Sequence, residues 1–147
     1  MSDFLHHIDL TVSDPVKALP LYELFLMHCG FELKSAGDEW ASFGHGGKRY
    51  PSIAVLKAKG AHAGREHDRY APGLHHLALR AKSRDDVDAL HAKLRAHGAT
   101  ILDPPADYPE YGEGYYAVFF ADPDGLKLEF AFTPPQGDVR VPPGEDL

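Results

Sequence analysis

The sequence holds a single cysteine, Cys29, a single tryptophan, Trp40, and fewer basic than acidic residues. One cysteine excludes an intrachain disulfide and any metal centre built on a cysteine cluster. Fifteen Lys and Arg stand against 22 Asp and Glu, for a formal charge of -7. That balance argues against nucleic acid or an anionic membrane as the main partner, because both are held by a basic face. No apolar run approaches the roughly 20 residues that span a bilayer. The opening Met1-Ser2-Asp3 lacks the basic and apolar regions of a signal peptide. Together these absences predict a soluble, cytoplasmic protein. What is present is a chain of 147 residues, 44% of them hydrophobic, which suffices for one ordinary domain with its own core.

The strongest organisational signal is repetition. Residues 4–12 alternate as a strand, with Phe4, His6, Ile8, Leu10 and Val12 on one face and Leu5, His7, Asp9 and Thr11 on the other. Ser13-Asp14-Pro15 then supplies an N-cap and a proline at a first helical position. Val16, Leu19, Tyr22, Phe25, Leu26 and Cys29 recur at helical spacing, and Gly30 ends the run. Pro20 is expected to kink that helix or delay its start. Three short strands follow, over 31–35, 39–43 and 52–57, and a polar linker covers 57–72, with His62 and His67 expected in solvent. The pattern then restarts. Gly73-Leu74-His75-His76-Leu77-Ala78-Leu79-Arg80 matches Phe4-Leu5-His6-His7-Ile8-Asp9-Leu10-Thr11 at an offset of 69 residues. Ser83, with Asp86 three residues on, opens a second helix carrying Val87, Leu90 and Leu94, and Gly98 closes it. Strands over 99–102 and 114–121 precede the turn Asp122-Pro123-Asp124-Gly125 and a last strand. The reading is strand–helix–three strands, twice: one α+β domain over 1–133, made of repeats 4–57 and 73–133. An extended acidic, proline-rich tail covers 134–147.

The last strand alternates Leu126, Leu128, Phe130 and Phe132 with Lys127, Glu129, Ala131 and Thr133. Glu129 is therefore a mid-strand carboxylate that needs a partner. Each repeat opens with a His-His pair, and periodicity singles out His7 and His76 as the members turned away from the helices. His6 and His75 are packing residues or supports for their neighbours. If the opening strands of the two repeats meet, His7, His76 and Glu129 converge. Two imidazoles and one carboxylate make a site for a divalent cation, with Zn²⁺, Fe²⁺, Mn²⁺ and Ni²⁺ all chemically admissible. Asp9, one strand step from His7 on the same face, is a candidate general base. Tyr115 is a candidate lining residue and hydrogen-bond donor or acid.

The motifs His7-x-x-Leu10-x-Val12, His76-x-Ala78-Leu79 and Asp122-Pro123-Asp124-Gly125-x-x-x-Glu129 resemble the vicinal oxygen chelate superfamily. That group includes glyoxalase I, extradiol dioxygenases, fosfomycin-resistance enzymes, methylmalonyl-CoA epimerase and bleomycin-binding proteins. The resemblance covers about residues 4–133. It implies two tandem βαβββ modules forming a curved, half-closed mixed sheet with helices on the outside. It also implies a metal that binds a small substrate through adjacent oxygens, and a homodimer whose modules pair within a chain or across two chains. The chain departs from particular members. The fourth ligand of glyoxalase I falls on Ala54 or Val55, and the tyrosine of extradiol dioxygenases falls on Phe119. Fosfomycin enzymes need more basic residues than Lys127 supplies. A glyoxalase-like lyase or isomerase is the leading expectation. The alternatives are an extradiol-type Fe(II) dioxygenase, a fosfomycin-type resistance enzyme and a metal-free bleomycin-type binding protein.

Overall fold

The computed structural model describes residues 4–135, so the tail expected over 134–147 falls outside the described residues from 136 onward. The chain runs β1 (His7–Val12), α1 (Pro15–His28), β2 (Phe31–Ala36), β3 (Trp40–His45), β4 (Ser52–Lys57), then β5 (His76–Arg80), α2 (Arg84–His97), β6 (Thr100–Asp107), β7 (Tyr116–Ala121) and β8 (Lys127–Phe132). It is an α+β fold of two βαβββ modules, as the repeat predicts. Each module makes one four-stranded mixed sheet, ordered β1-β4-β3-β2 and β5-β8-β7-β6. The opening strand of each module pairs parallel to its last strand, and the other pairs are antiparallel. β1 and β5 each lie at an open edge of their own sheet.

Local chemistry sets the element ends. Asp14 caps α1 by accepting from the amides of Val16 and Lys17, with Pro15 at the first turn. That cap fixes the start, so Pro20 does not delay the helix, which runs through it to His28. Ser83 caps α2 by accepting from the Asp86 amide at 3.0 Å. The Asp86 carboxylate does not complete a capping box. It accepts instead from the Lys82 amide and meets the His28 imidazole of α1 at 2.7 Å. Gly98, at φ 84°, closes α2 in the left-handed region that favours glycine. β6 runs five residues beyond the expected strand, through Pro104 and Pro105. An edge strand with register shifts can lose amide donors without breaking a central ladder, which is why prolines are tolerated there.

Each helix covers one face of its own sheet, and the two helix-covered faces share one core. Tyr22, Phe25 and Leu26 of α1, Val87, Leu90 and Leu94 of α2, and Phe120, Leu128 and Phe130 of the second sheet are all buried in it. Phe25 packs edge-to-face on Phe120 and Phe130, at ring separations of 4.9 and 6.1 Å. Burying each such side chain contributes about 1.5–3 kcal/mol. A buried polar fastening across the joint is the Tyr22 hydroxyl, which donates to the buried Asp122 carboxylate at 2.7 Å. Asp122 also accepts from the amides of Asp124 and Leu126, closing the turn between β7 and β8. Asp124 ties the turn to the rest of the chain. Its carboxylate accepts from the Ser13 amide, and its carbonyl accepts from the amide of His67 in the linker. His67, expected to be exposed, is half-buried, and among the described residues its Nδ1 has no hydrogen-bond partner. No helix among the described residues is long and apolar enough to cross a membrane.

Two outcomes follow from this packing. Tyr22→Phe removes the only side-chain donor to Asp122 among the described residues and takes the partner from a buried carboxylate oxygen. Urea unfolding should show a loss of about 1–3 kcal/mol, and an unchanged midpoint would remove Tyr22 from the fastening. Cys29 caps the C-terminus of α1, where burial first, and Asp86 second, push its thiol up to about 12. At pH 8 the thiolate is scarce in the folded state, so alkylation should run about a thousandfold slower than in the urea-unfolded chain.

Candidate functional site

Alternation along the second sheet sorts its residues onto two faces. Leu77, Leu128, Phe130, Val118 and Phe120 turn into the core. His76, Ala78 and Arg80 of β5 and Lys127, Glu129 and Ala131 of β8 take the opposite face, with Ala117, Phe119 and Ala121 of β7. The register places Ala78 and Phe119 on either side of Glu129, and His76 beside Lys127. Lys127 lies over the Phe119 ring at 4.3 Å. Among the described residues Lys127 makes no ion pair.

Glu129 is only 2% exposed, although it stands on the face away from the core. Two groups meet its carboxylate. His76 Nε2 lies 3.1 Å from Oε1, and the Tyr115 hydroxyl donates to Oε2 in a short hydrogen bond. The segment between β6 and β7 brings Tyr115 there. Its turn at Pro109–Tyr111 stacks Tyr108 on Tyr111 at 5.7 Å and sets Tyr108 edge-on to Phe119 at 5.3 Å. Tyr111 in turn packs against Tyr115 at 5.5 Å. This aromatic cluster walls the site beside Glu129. Burial first, and the hydrogen bond to Glu129 second, hold the Tyr115 phenol well above its ordinary pKa. Tyr115 is therefore a neutral donor at physiological pH, not a phenolate base.

His7 and Asp9 stand on the other sheet. β1 turns Leu10 and Val12 into the core and leaves His7, Asp9 and Thr11 exposed on the face away from α1. Because β1 and β5 belong to separate sheets, the structure brings together His76, Glu129 and Tyr115 and leaves His7 and Asp9 apart from them. Among the described residues of one chain, no group of three His, Cys, Asp or Glu is close enough to hold a metal ion. The position of the fourth glyoxalase ligand is filled by Ala54, on the face with Asp9, and by Val55, in the core. A cavity of about 810 Å³ lies between linker residues 64–70 and the turn at 121–125, and none of the candidate residues lines it.

The donor chemistry of the pair fits a divalent cation. Two ligand atoms bound at about 2.1 Å and a right angle are separated by about 3 Å, and His76 Nε2 and Glu129 Oε1 already stand at 3.1 Å. Glu129 is held from behind by a phenol, as ligating carboxylates are. Among the described residues of one chain, His76 and Glu129 are the two such donors that meet. From the sequence, Tyr108, Tyr111, Tyr115 and Tyr116 read either as an aromatic loop packing the core or as a lid over the site, with only Tyr115 favoured as a lining residue. The glycines at 112 and 114 mark a loop, but only its fold shows where the rings go.

A family model described as the glyoxalase/bleomycin resistance protein/dioxygenase superfamily matches residues 4–130. The uncharacterized protein YqjT of Bacillus subtilis (strain 168) is 34% identical over 125 residues, covering 85% of this chain and 95% of its own. A putative glyoxalase from Bacillus halodurans superposes with a TM-score of 0.74 at 27% identity, over 90% of this chain and 97% of its own. A glyoxalase/bleomycin resistance protein/dioxygenase domain from Frankia sp. EAN1pec follows at 0.69 and 25%, over 90% and 98%.

Tyr115→Phe tests the support behind Glu129. A phenol whose folded pKa is raised contributes stability that is fully present below its ordinary value of 10.0 and is lost as pH climbs through the raised one. Urea unfolding at pH 7 should show a loss of about 1–2 kcal/mol in the variant. The gap between variant and wild type should close as pH rises above 10. A gap that stays constant into alkali would mean that the hydroxyl does not serve Glu129.

Proposed function

This chain belongs to the glyoxalase/bleomycin resistance protein/dioxygenase superfamily, and from that premise we propose that it is a metal-dependent lyase or isomerase. Its substrate would be a small molecule that offers two adjacent oxygens to a divalent cation. The observation that carries the reading is the meeting of His76, Glu129 and Tyr115 on the face away from the core. His76 and Glu129 would hold the cation, and His7 would be the third ligand. Zn²⁺, Ni²⁺, Mn²⁺ and Fe²⁺ all suit two imidazoles and a carboxylate. When bound, the cation supplies Lewis acidity toward substrate oxygens.

The residues of the chain do the rest. Tyr115, kept neutral, donates a hydrogen bond at the edge of the site. Phe119, Tyr108 and Tyr111 shield Glu129 from water. Asp9, exposed on the face that carries His7, is the candidate base for moving a proton of the substrate. Support for joining the two half-sites comes from the sheet edges. β1 and β5 both end in open edges, and unpaired edges are templates for pairing. In a homodimer where β1 of one chain adjoins β5 of its partner, His7 and Asp9 of one chain complete the site begun by His76, Glu129 and Tyr115 of the other. A two-fold pairing makes two such sites.

A second reading keeps the same ligands. Phe119 cannot donate a hydrogen bond to a substrate, which weighs against extradiol ring cleavage. Tyr115 nevertheless places a phenol at Glu129, and it could serve that chemistry instead. Anaerobic loading with Fe²⁺ and a panel of catechols separates the two, since ring-fission products at enzymatic rates would favour the dioxygenase.

Chain mixing tests the proposal. His7→Ala and Glu129→Ala proteins should each lose stoichiometric Zn²⁺. After subunit exchange the mixed dimer regains one intact site, for about a quarter of wild-type metal overall. Metal retained in Glu129→Ala would end the ligand assignment, and no recovery on mixing would end the shared site.

A further inference from the structure

The two His-His pairs carry an arrangement that the ligand set does not use. His75 Nδ1 lies 2.7 Å from His76 Nδ1, and His6 Nδ1 lies 2.8 Å from His7 Nδ1. Consecutive residues inside a strand point to opposite faces and do not meet in this way. Here they can, because β1 begins at His7 and β5 at His76. His6 and His75 are the last residues before their strands, outside the pleat, and their rings are free to turn back. Each is backed by a tyrosine: His6 lies against Tyr50 at 4.2 Å, and His75 meets the edge of Tyr70 at 5.8 Å. The contact recurs in both modules although the tyrosines come from different places in the chain.

Two ring nitrogens at hydrogen-bond distance share one proton, with one nitrogen as donor and the other as acceptor. The direction decides what the ligand histidine can do. His76 turns Nε2 toward Glu129 and Nδ1 toward His75. If the shared proton sits on His76 Nδ1, then Nε2 of the neutral ring carries a lone pair and can bind a cation. If it sits on His75, the neutral His76 ring carries its proton on Nε2, donates to Glu129 and has no lone pair facing the site. Ligating histidines generally give their second N–H to a carboxylate or carbonyl, and here the acceptor offered is another imidazole.

We infer that His75 and His6 are positioning residues, each accepting the Nδ1 proton of the histidine that follows it and so presenting that ring's Nε2 to a divalent cation. The inference rests on the metal-site reading above and adds the residues that set the ligands' tautomer. Loading does not require a net loss of protons from the pair. The shared proton passes from His75 Nδ1 to His76 Nδ1, the proton leaving His76 Nε2 goes to solvent, and His75 Nε2 takes one from solvent. Both rings stay neutral throughout.

The test is side-chain replacement at position 75, with Zn²⁺ as the probe. His75 is exposed, so its replacement does not open the core. Asn puts a carbonyl oxygen where Nδ1 stands, Gln puts its amide about one bond farther, and Leu has no acceptor. Competition titration against a chromogenic chelator should show Zn²⁺ affinity about 10- to 100-fold weaker in His75→Leu and His75→Gln. His75→Asn should recover to within a few-fold of wild type. In the Zn²⁺-loaded wild type and Asn variant, ¹⁵N spectra should show the proton of His76 on Nδ1. The His6 series should give the same ranking. Wild-type affinity in His75→Leu, or Asn no better than Gln, would overturn the positioning role while leaving the metal site standing. A wild-type protein that binds no Zn²⁺ would overturn the metal reading and this inference with it.

Discussion

The Asp122 carboxylate holds more of this molecule in place than any residue of the candidate site does. It is buried, and a buried carboxylate must be fully hydrogen-bonded or it destabilises the fold. Its three donors come from two distances along the chain. The Asp124 and Leu126 amides are local and shape the turn, while the Tyr22 hydroxyl comes from the other module, 100 residues away. One side chain therefore sets the hairpin register of β7 and β8 and fastens that hairpin to α1. Glu129 stands seven residues beyond Asp122 in a strand whose phase the turn dictates. A register slip of one residue would turn Glu129 into the core and Phe130 out to the aromatic wall. The placement of the candidate site is thus inherited from a bond that takes no part in it.

Much of the fold was legible because the signals were local and occurred twice. Alternation in 7–12 and 76–80, the caps at Asp14 and Ser83, and Gly98 after α2 each act within a turn or two of the chain, although the strand expected from Phe4 begins only at His7. The expected boundaries failed where a tertiary condition entered. β6 outruns its expected end at Leu102 because a sequence does not show that a strand will lie at an edge. Pro20 does not interrupt α1 because the Asp14 cap and the buried Tyr22, Phe25 and Leu26 hold the helix on both sides of it. His67 is drawn from solvent by a bond that nothing in residues 57–72 announces, from its amide to the Asp124 carbonyl.

The candidate site was legible in kind and incomplete in place. Glu129 needed a partner, and periodicity set His76 on the right face to be one. Tyr115 was found from the same reasoning, and its hydroxyl does reach Glu129. The pairing of the two modules was the part that sequence could not decide. Strand alternation says which face His7 occupies but not which way that face looks once two helices have packed together. The fastening of α1 to the second sheet answers that within one chain, and it leaves His7 and Asp9 on a sheet separate from Glu129.

The open edges of β1 and β5 bear on how the protein's output would follow its abundance. A pocket closed inside one chain works at any dilution, so its activity rises in proportion to the number of chains. A pocket whose halves sit on different chains exists only in pairs. Below the concentration at which half the chains are paired, the number of pairs varies with the square of the amount present. Halving expression would then remove well over half of the activity. A copy defective in both half-sites that still pairs would disable both half-sites of the intact chain it captured.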